Sequence, residues 1–161
     1  MNPLTEPLAK ILDLNTRLFI NCLDGIDDAT AQKRIKMDTN SMTFIVCHLI
    51  DARYYLAEII NLKTENPFKE LFEQAQSIDD FKDFPRLKEL KSAWLDVSKK
   101  LSEFFPELAT DELQKESSVD FPIDDNTVLG AIAFLIQHES YHIGQLGFLR
   151  KYLGFESMMY E

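Results

Sequence analysis

PRLKELKSAWLDVSKKLSEFFP, residues 85–106, decides the fold. Leu87, Leu90, Trp94, Val97, Leu101 and Phe104 recur at alternating spacings of three and four, which puts all six on one face of an α-helix. Pro85 suits the first-turn position and Pro106 ends the run. Three further segments repeat the pattern. Leu8, Ile11, Leu12, Leu18, Phe19, Cys22 and Leu23 share a face, with Gly25 as a C-terminal stop. Asn40 or Ser41 caps a second helix that runs to about Leu62, with the stripe Ile45, His48, Ala52, Tyr55, Ile59. A fourth helix starts after Asp125-Asn126 and runs to about Leu153, with Val128, Ile132, Leu135, Leu146, Leu149 and Leu153 on one face and Gly154 as stop. Four amphipathic helices make an all-α four-helix bundle the natural architecture. The connections at 63–84 and 106–125 are long enough to allow crossovers. A short helix is expected around Phe68–Gln76, and a brief extended piece over Ser117–Phe121.

Composition agrees. The 161 residues suit a single domain spanning 1–161, and five glycines with six prolines are too few for a turn-rich all-β chain. The formal net charge is −10. So acidic a chain is repelled by polyphosphates, which argues against nucleic acid and anionic membranes as partners. The longest apolar run, Val128 to Ile136, falls well short of the roughly 20 residues of a membrane span. The first residues lack the basic start and apolar core of a signal peptide. Cys22 and Cys47 lie inside helical patterns and read as reduced, partly buried thiols, the pattern of a cytoplasmic protein.

Chemistry enters where polar residues interrupt core faces. In the fourth helix the spacing calls for apolar residues at 139 and 142, where Glu139 and His142 stand. His138 lies one turn before His142, and His48 occupies a stripe position in the second helix. These are all the histidines of the chain. One buried unpaired polar group costs about 1–3 kcal/mol, so three on inward faces call for a common explanation. A divalent metal supplies one: imidazoles at i and i+4 chelate from a single helix, and a third from a facing helix completes a three-nitrogen set with a position left open. A lone core histidine is ordinarily a hydrogen-bonded packing residue; the i, i+4 pair is what favours ligation.

His138-Glu139-Ser140-Tyr141-His142 also matches the H-E-x-x-H of zinc peptidases. The extended form of that motif fails, because its last histidine position is Phe148, and the later glutamates, Glu156 and Glu161, sit in a short tail. Glu139 and His142 satisfy the E-x-x-H of di-iron bundles as well, but no second copy of that motif exists.

The run His-Glu-x-x-His-x-Gly-Gln-Leu-x-x-Leu-Arg from His138 to Arg150, with x-Cys-His-Leu-x-Asp-Ala from Val46 to Ala52, resembles the DinB-like superfamily. The resemblance implies a four-helix bundle with a three-histidine metal site, His48 from the second helix and His138 and His142 from the fourth. It further implies Zn²⁺ or Ni²⁺ as the ion and frequent homodimers. Relatives include S-transferases and isomerases that use low-molecular-weight thiols, with small-molecule substrates. Metal-assisted hydrolysis is the alternative chemistry, and a non-catalytic metal-binding or dimerising bundle the alternative class.

Other residues are placed by helix geometry. Gln145 shares the face of His138 and His142, either bonding a metal-held water or substrate or lying as a polar residue at the bundle mouth. Glu139, about 100° round the helix from His138, is a candidate general base. Asp51 either accepts a proton from a ligand imidazole or lies solvated on the helix face. Cys47 is expected to pack in the core, Tyr54, Tyr55, Trp94 and Tyr141 in the core or pocket wall, and the tail Ser157–Tyr160 on the bundle or a partner chain.

Overall fold

Helix boundaries follow local chemistry in the computed structural model, which describes residues 2–73, 78–81 and 83–161. The first long helix, α1 (Glu6–Cys22), carries Pro7 in its opening turn. The second, α2 (Met42–Ile59), starts at Ser41, whose hydroxyl accepts the Phe44 N–H. It ends earlier than its apolar content suggests because Asn61 adopts φ +58, a left-handed turn that Asn tolerates, and Leu62 N–H closes back on the Ala57 carbonyl. The third, α3 (Leu87–Phe104), has Arg86 at its N-cap; Glu89 reaches back to the Arg86 N–H, and Asp28 accepts the Leu87 N–H. Pro85 therefore precedes the cap instead of occupying the first turn. The fourth, α4 (Val128–Tyr152), is capped by Thr127, which accepts the Gly130 N–H. Gly25 and Gly154 both take positive φ past the ends of α1 and α4, as helix stops require.

Short helical turns occupy the connections at Asp28–Ala31, Lys69–Glu73, Ile78–Asp80, Phe105–Glu107 and Thr110–Leu113. The helix expected at 68–76 is thus present over Lys69–Glu73, and residues 74–76 lie outside the described residues. The extended piece expected at 117–121 is replaced by one antiparallel bridge, Glu116 with Thr127, flanked by Ser117 N–H to Asn126 and Val128 N–H to Lys115. Among the described residues no strand forms and no helix is long and apolar enough to cross a membrane.

Around the bundle the packing order is α1, α4, α2, α3 and back to α1, so α1 stands diagonally opposite α2, and α3 opposite α4. Both diagonal steps are crossovers. The stripe of α3 is buried from Leu87 through Leu101, and Trp94 stacks on Phe19 of α1 at 4.0 Å. Two expectations fail at the periphery. Ile11 is 41% exposed, lying on the outer side of α1, and Tyr141 is 59% exposed on the outer side of α4 instead of in a pocket wall. Cys22 and Cys47 are buried free thiols, with Cys47 in the core as its position off the His48 face requires. In the tail Met158 packs against the core, and Asn21 donates to the carbonyls of Met159 and Glu161.

Candidate metal centre

The core face of α2 is rotated from the stripe read in the sequence. Val46, Leu49, Ile50, Arg53, Leu56 and Ala57 are buried, whereas His48, Ala52 and Tyr55 are half-buried. The reason is that α2 packs against both α3 and α4, so apolar residues surround it and periodicity alone does not choose its inward side. The rotation brings His48 to the edge of the α2–α4 seam.

There His48 meets the α4 pair. The Nε2 atoms of His48 and His142 each stand 3.1 Å from Nε2 of His138. The three form a group whose candidate ligand atoms all lie within 4.8 Å of one another. His142 donates its Nδ1–H to Oε1 of Gln145 at 2.7 Å, and Gln145 in turn donates from Nε2 to the Tyr141 hydroxyl at 3.2 Å. With its proton on Nδ1, His142 presents a bare Nε2 lone pair to the other rings.

This donor set fits a divalent ion. Two nitrogens bound to one tetrahedral ion at about 2.0–2.1 Å lie roughly 3.3 Å apart, close to the spacing of these imidazoles. Protonation states agree: burial, then His142 and His138, push the His48 imidazole down to about 4. Burial and then His142 lower His138. Neutral imidazoles are the form that binds metal. Nδ1 of His138 is buried with no hydrogen-bond partner, so that ring's only polar engagement is through the nitrogen facing the cluster. Phe134 lies against the His138 ring at 6.2 Å between centroids, and Phe121 packs on Phe134.

Glu139 does not join the histidines. It is 4% exposed, and both its oxygens are bound by Arg53, Oε2 to Nε at 2.8 Å and Oε1 to Nη2 at 2.6 Å. The expectation of a general base is corrected accordingly: 100° of helix rotation turns Glu139 from the seam into the core, where a guanidinium holds it. Arg53 places its remaining donors on the Thr16 and Ser98 hydroxyls and the Leu12 carbonyl, and its guanidinium lies 3.5 Å over the Trp94 ring. Sequence reasoning missed Arg53. The signal was available, since a carboxylate at a core position demands a cationic partner.

Gln145 sits behind a ring, its amide oxygen accepting from His142 Nδ1. Asp51 accepts from Asn66 Nδ2 at 2.9 Å, and burial raises its pKa. It lines a groove of about 1240 Å³ with Tyr54, Tyr55, Glu58, Phe68 and Phe84. That groove begins one turn along α2 from His48, and the imidazoles are not in its wall. On the outer side of α4, Tyr141, Phe148 and Tyr152 are each more than half exposed.

The sequence matches the DinB superfamily over residues 11–146. The fold is similar to the crystal structure of a conserved protein from Enterococcus faecalis, at a TM-score of 0.72 with 14% sequence identity, over 95% of this chain and 98% of that one. No curated protein matches.

Proposed function

This chain belongs to the DinB superfamily, and from that membership and the histidine cluster we propose a metal-dependent enzyme with one divalent ion held by His48, His138 and His142. The observation that carries the reading is the convergence of three imidazole Nε2 atoms from two helices on one point. When bound, a divalent ion lowers the pKa of a thiol or water that joins it and so supplies a nucleophile near neutral pH. Zn²⁺ and Ni²⁺ both suit an all-imidazole set.

The protein's own residues divide the remaining work. Gln145 fixes the tautomer and orientation of His142. Phe134, packed on His138, keeps one side of the cluster apolar. The groove that starts at Asp51 gives a small-molecule substrate its place beside the site. Thiol S-transfer is the preferred chemistry on family grounds, and hydrolysis uses the same geometry with water in place of the thiol. The buried free cysteines accord with a reducing, cytoplasmic setting.

A second reading, a non-catalytic bundle that binds metal or dimerises, is favoured by the exposed aromatic line on α4. Elemental analysis of untagged protein, purified without a nickel column, separates these readings from a metal-free one. About one ion per chain in the native protein and none in His142→Ala is the expected result; no ion in either refutes the metal site. Turnover of small thiols with electrophilic partners by the loaded protein, lost in His142→Ala, would then favour the enzyme over the binding bundle.

A further inference from the structure

The Arg53–Glu139 pair is an unusual object to find in the middle of a small bundle. Its side chains are 0% and 5% exposed, and between them they touch all four helices: Leu12 and Thr16 on α1, Arg53 on α2, Trp94 and Ser98 on α3, Glu139 on α4. All five guanidinium N–H groups are used. Such a pair contributes little to stability as such, because the cost of desolvating two charges consumes most of their attraction, and apolar residues of similar size often serve as well.

What an apolar seam lacks is direction. Leucine and isoleucine side chains hold two helices together while tolerating small slides and rotations, whereas a bidentate guanidinium–carboxylate contact accepts only one alignment. The alignment it fixes is that of α2 against α4, the two helices that carry the imidazoles. Glu139 follows His138 directly, and Arg53 lies five residues, about 7.5 Å along the axis, beyond His48. A slide of one residue between the helices is about 1.5 Å, several times the roughly 0.2 Å tolerance of a metal–nitrogen bond.

We infer that Arg53 and Glu139 are positioning residues for the metal centre, a buried register lock that sets His48 opposite His138 and His142. The inference rests on the metal reading above. It also gives the H-E-x-x-H glutamate a role other than that of a peptidase base: here its carboxylate holds the helix that presents the ligands.

The double variant Arg53→Met/Glu139→Leu tests this. Removing the guanidinium leaves no orphan hydroxyl, since Thr16 still donates to the Leu12 carbonyl and Ser98 to that of Trp94. The variant should retain its helical circular dichroism and a cooperative melt. Its affinity for Zn²⁺ in chelator competition should fall ten- to a hundredfold, and its Co²⁺ complex should show a shifted, weakened visible spectrum. Wild-type affinity and an unchanged Co²⁺ spectrum would overturn the positioning role. So would a variant that fails to fold, because the pair would then serve the fold itself. Absence of metal uptake by the wild-type chain would be a different failure, that of the metal reading.

Discussion

His142 and Gln145, neighbours across one turn of α4, are joined by a 2.7 Å hydrogen bond from the ring Nδ1–H to the amide oxygen, so the lone pair that faces the cluster is chosen by a residue that does not belong to it. Gln145→Leu removes the acceptor while preserving bulk. Metal affinity should drop ten- to a hundredfold, as for other residues that orient a ligand, with the circular dichroism unchanged. Chelator competition measures it, and an affinity equal to wild type would leave Gln145 as a surface residue.

Removal of the ion should leave the bundle standing. The apolar faces of α1 to α4 form one continuous core with Trp94 and Phe19 at its middle, and none of that burial depends on the imidazoles. Chelation should therefore lower the melting temperature yet keep the far-ultraviolet spectrum helical at 25 °C. Collapse of the helical signal would assign the ion a structural role.

Acid should destabilise the metal-free protein within a definite window. His48 in the folded chain protonates only near pH 4, against an ordinary value of 6.5, so below pH 6.5 the unfolded chain carries a proton that the folded one refuses. The stability associated with the neutral ring is full above pH 6.5 and is lost as the pH falls towards 4. His138, also lowered by burial, acts in the same direction. Urea midpoints in chelator between pH 7 and 4.5 should fall accordingly, and more gently in His48→Gln.

Breaking the buried pair from one side should be costly. Glu139→Ala strands the Arg53 guanidinium at 1% exposure, with two N–H groups unpaired. A loss of about 3–5 kcal/mol in urea unfolding is expected. A loss under about 1 kcal/mol would mean that water reaches the guanidinium.

The exposed face of α4 should mediate self-association. Tyr141, Phe148 and Tyr152 line it, and Glu139, the helix's sole acidic residue, is buried. In a chain of net charge −10, a face without carboxylates is where two copies can approach without repulsion. Sedimentation should show a dimer for the wild type and a monomer for Phe148→Glu; identical masses would place any interface elsewhere.

The residues themselves explain what could be read beforehand. The four helices were legible because Leu87–Phe104 and its counterparts keep a 3–4 spacing, and Ser41, Gly25 and Gly154 mark boundaries by their own chemistry. His48, His138 and His142 stood out because polar groups on core faces need a reason. The phase of α2 was not legible: a helix packed against two others is apolar nearly all round, so the wrong face looked inward and Arg53, off the stripe that was read, drew no notice. The end of α2 depended on Asn61 taking a left-handed turn, which nothing in the spacing announces. Helix neighbours were hidden for another reason, since long connections permit either adjacent or diagonal placement.

That neighbour order bears on how the molecule comes into being. As the chain is made from its N-terminus, α1 and α2 emerge with no face for each other, and α3 can bring them together only as a trough with one side open. The trough closes when α4 drops in between α1 and α2, and the same event delivers two imidazoles to a third that has waited since the second helix was made. Closure of the core and assembly of the histidine centre therefore both wait on the fourth helix, and a ribosome-bound chain still lacking it has an open seam and one imidazole of three.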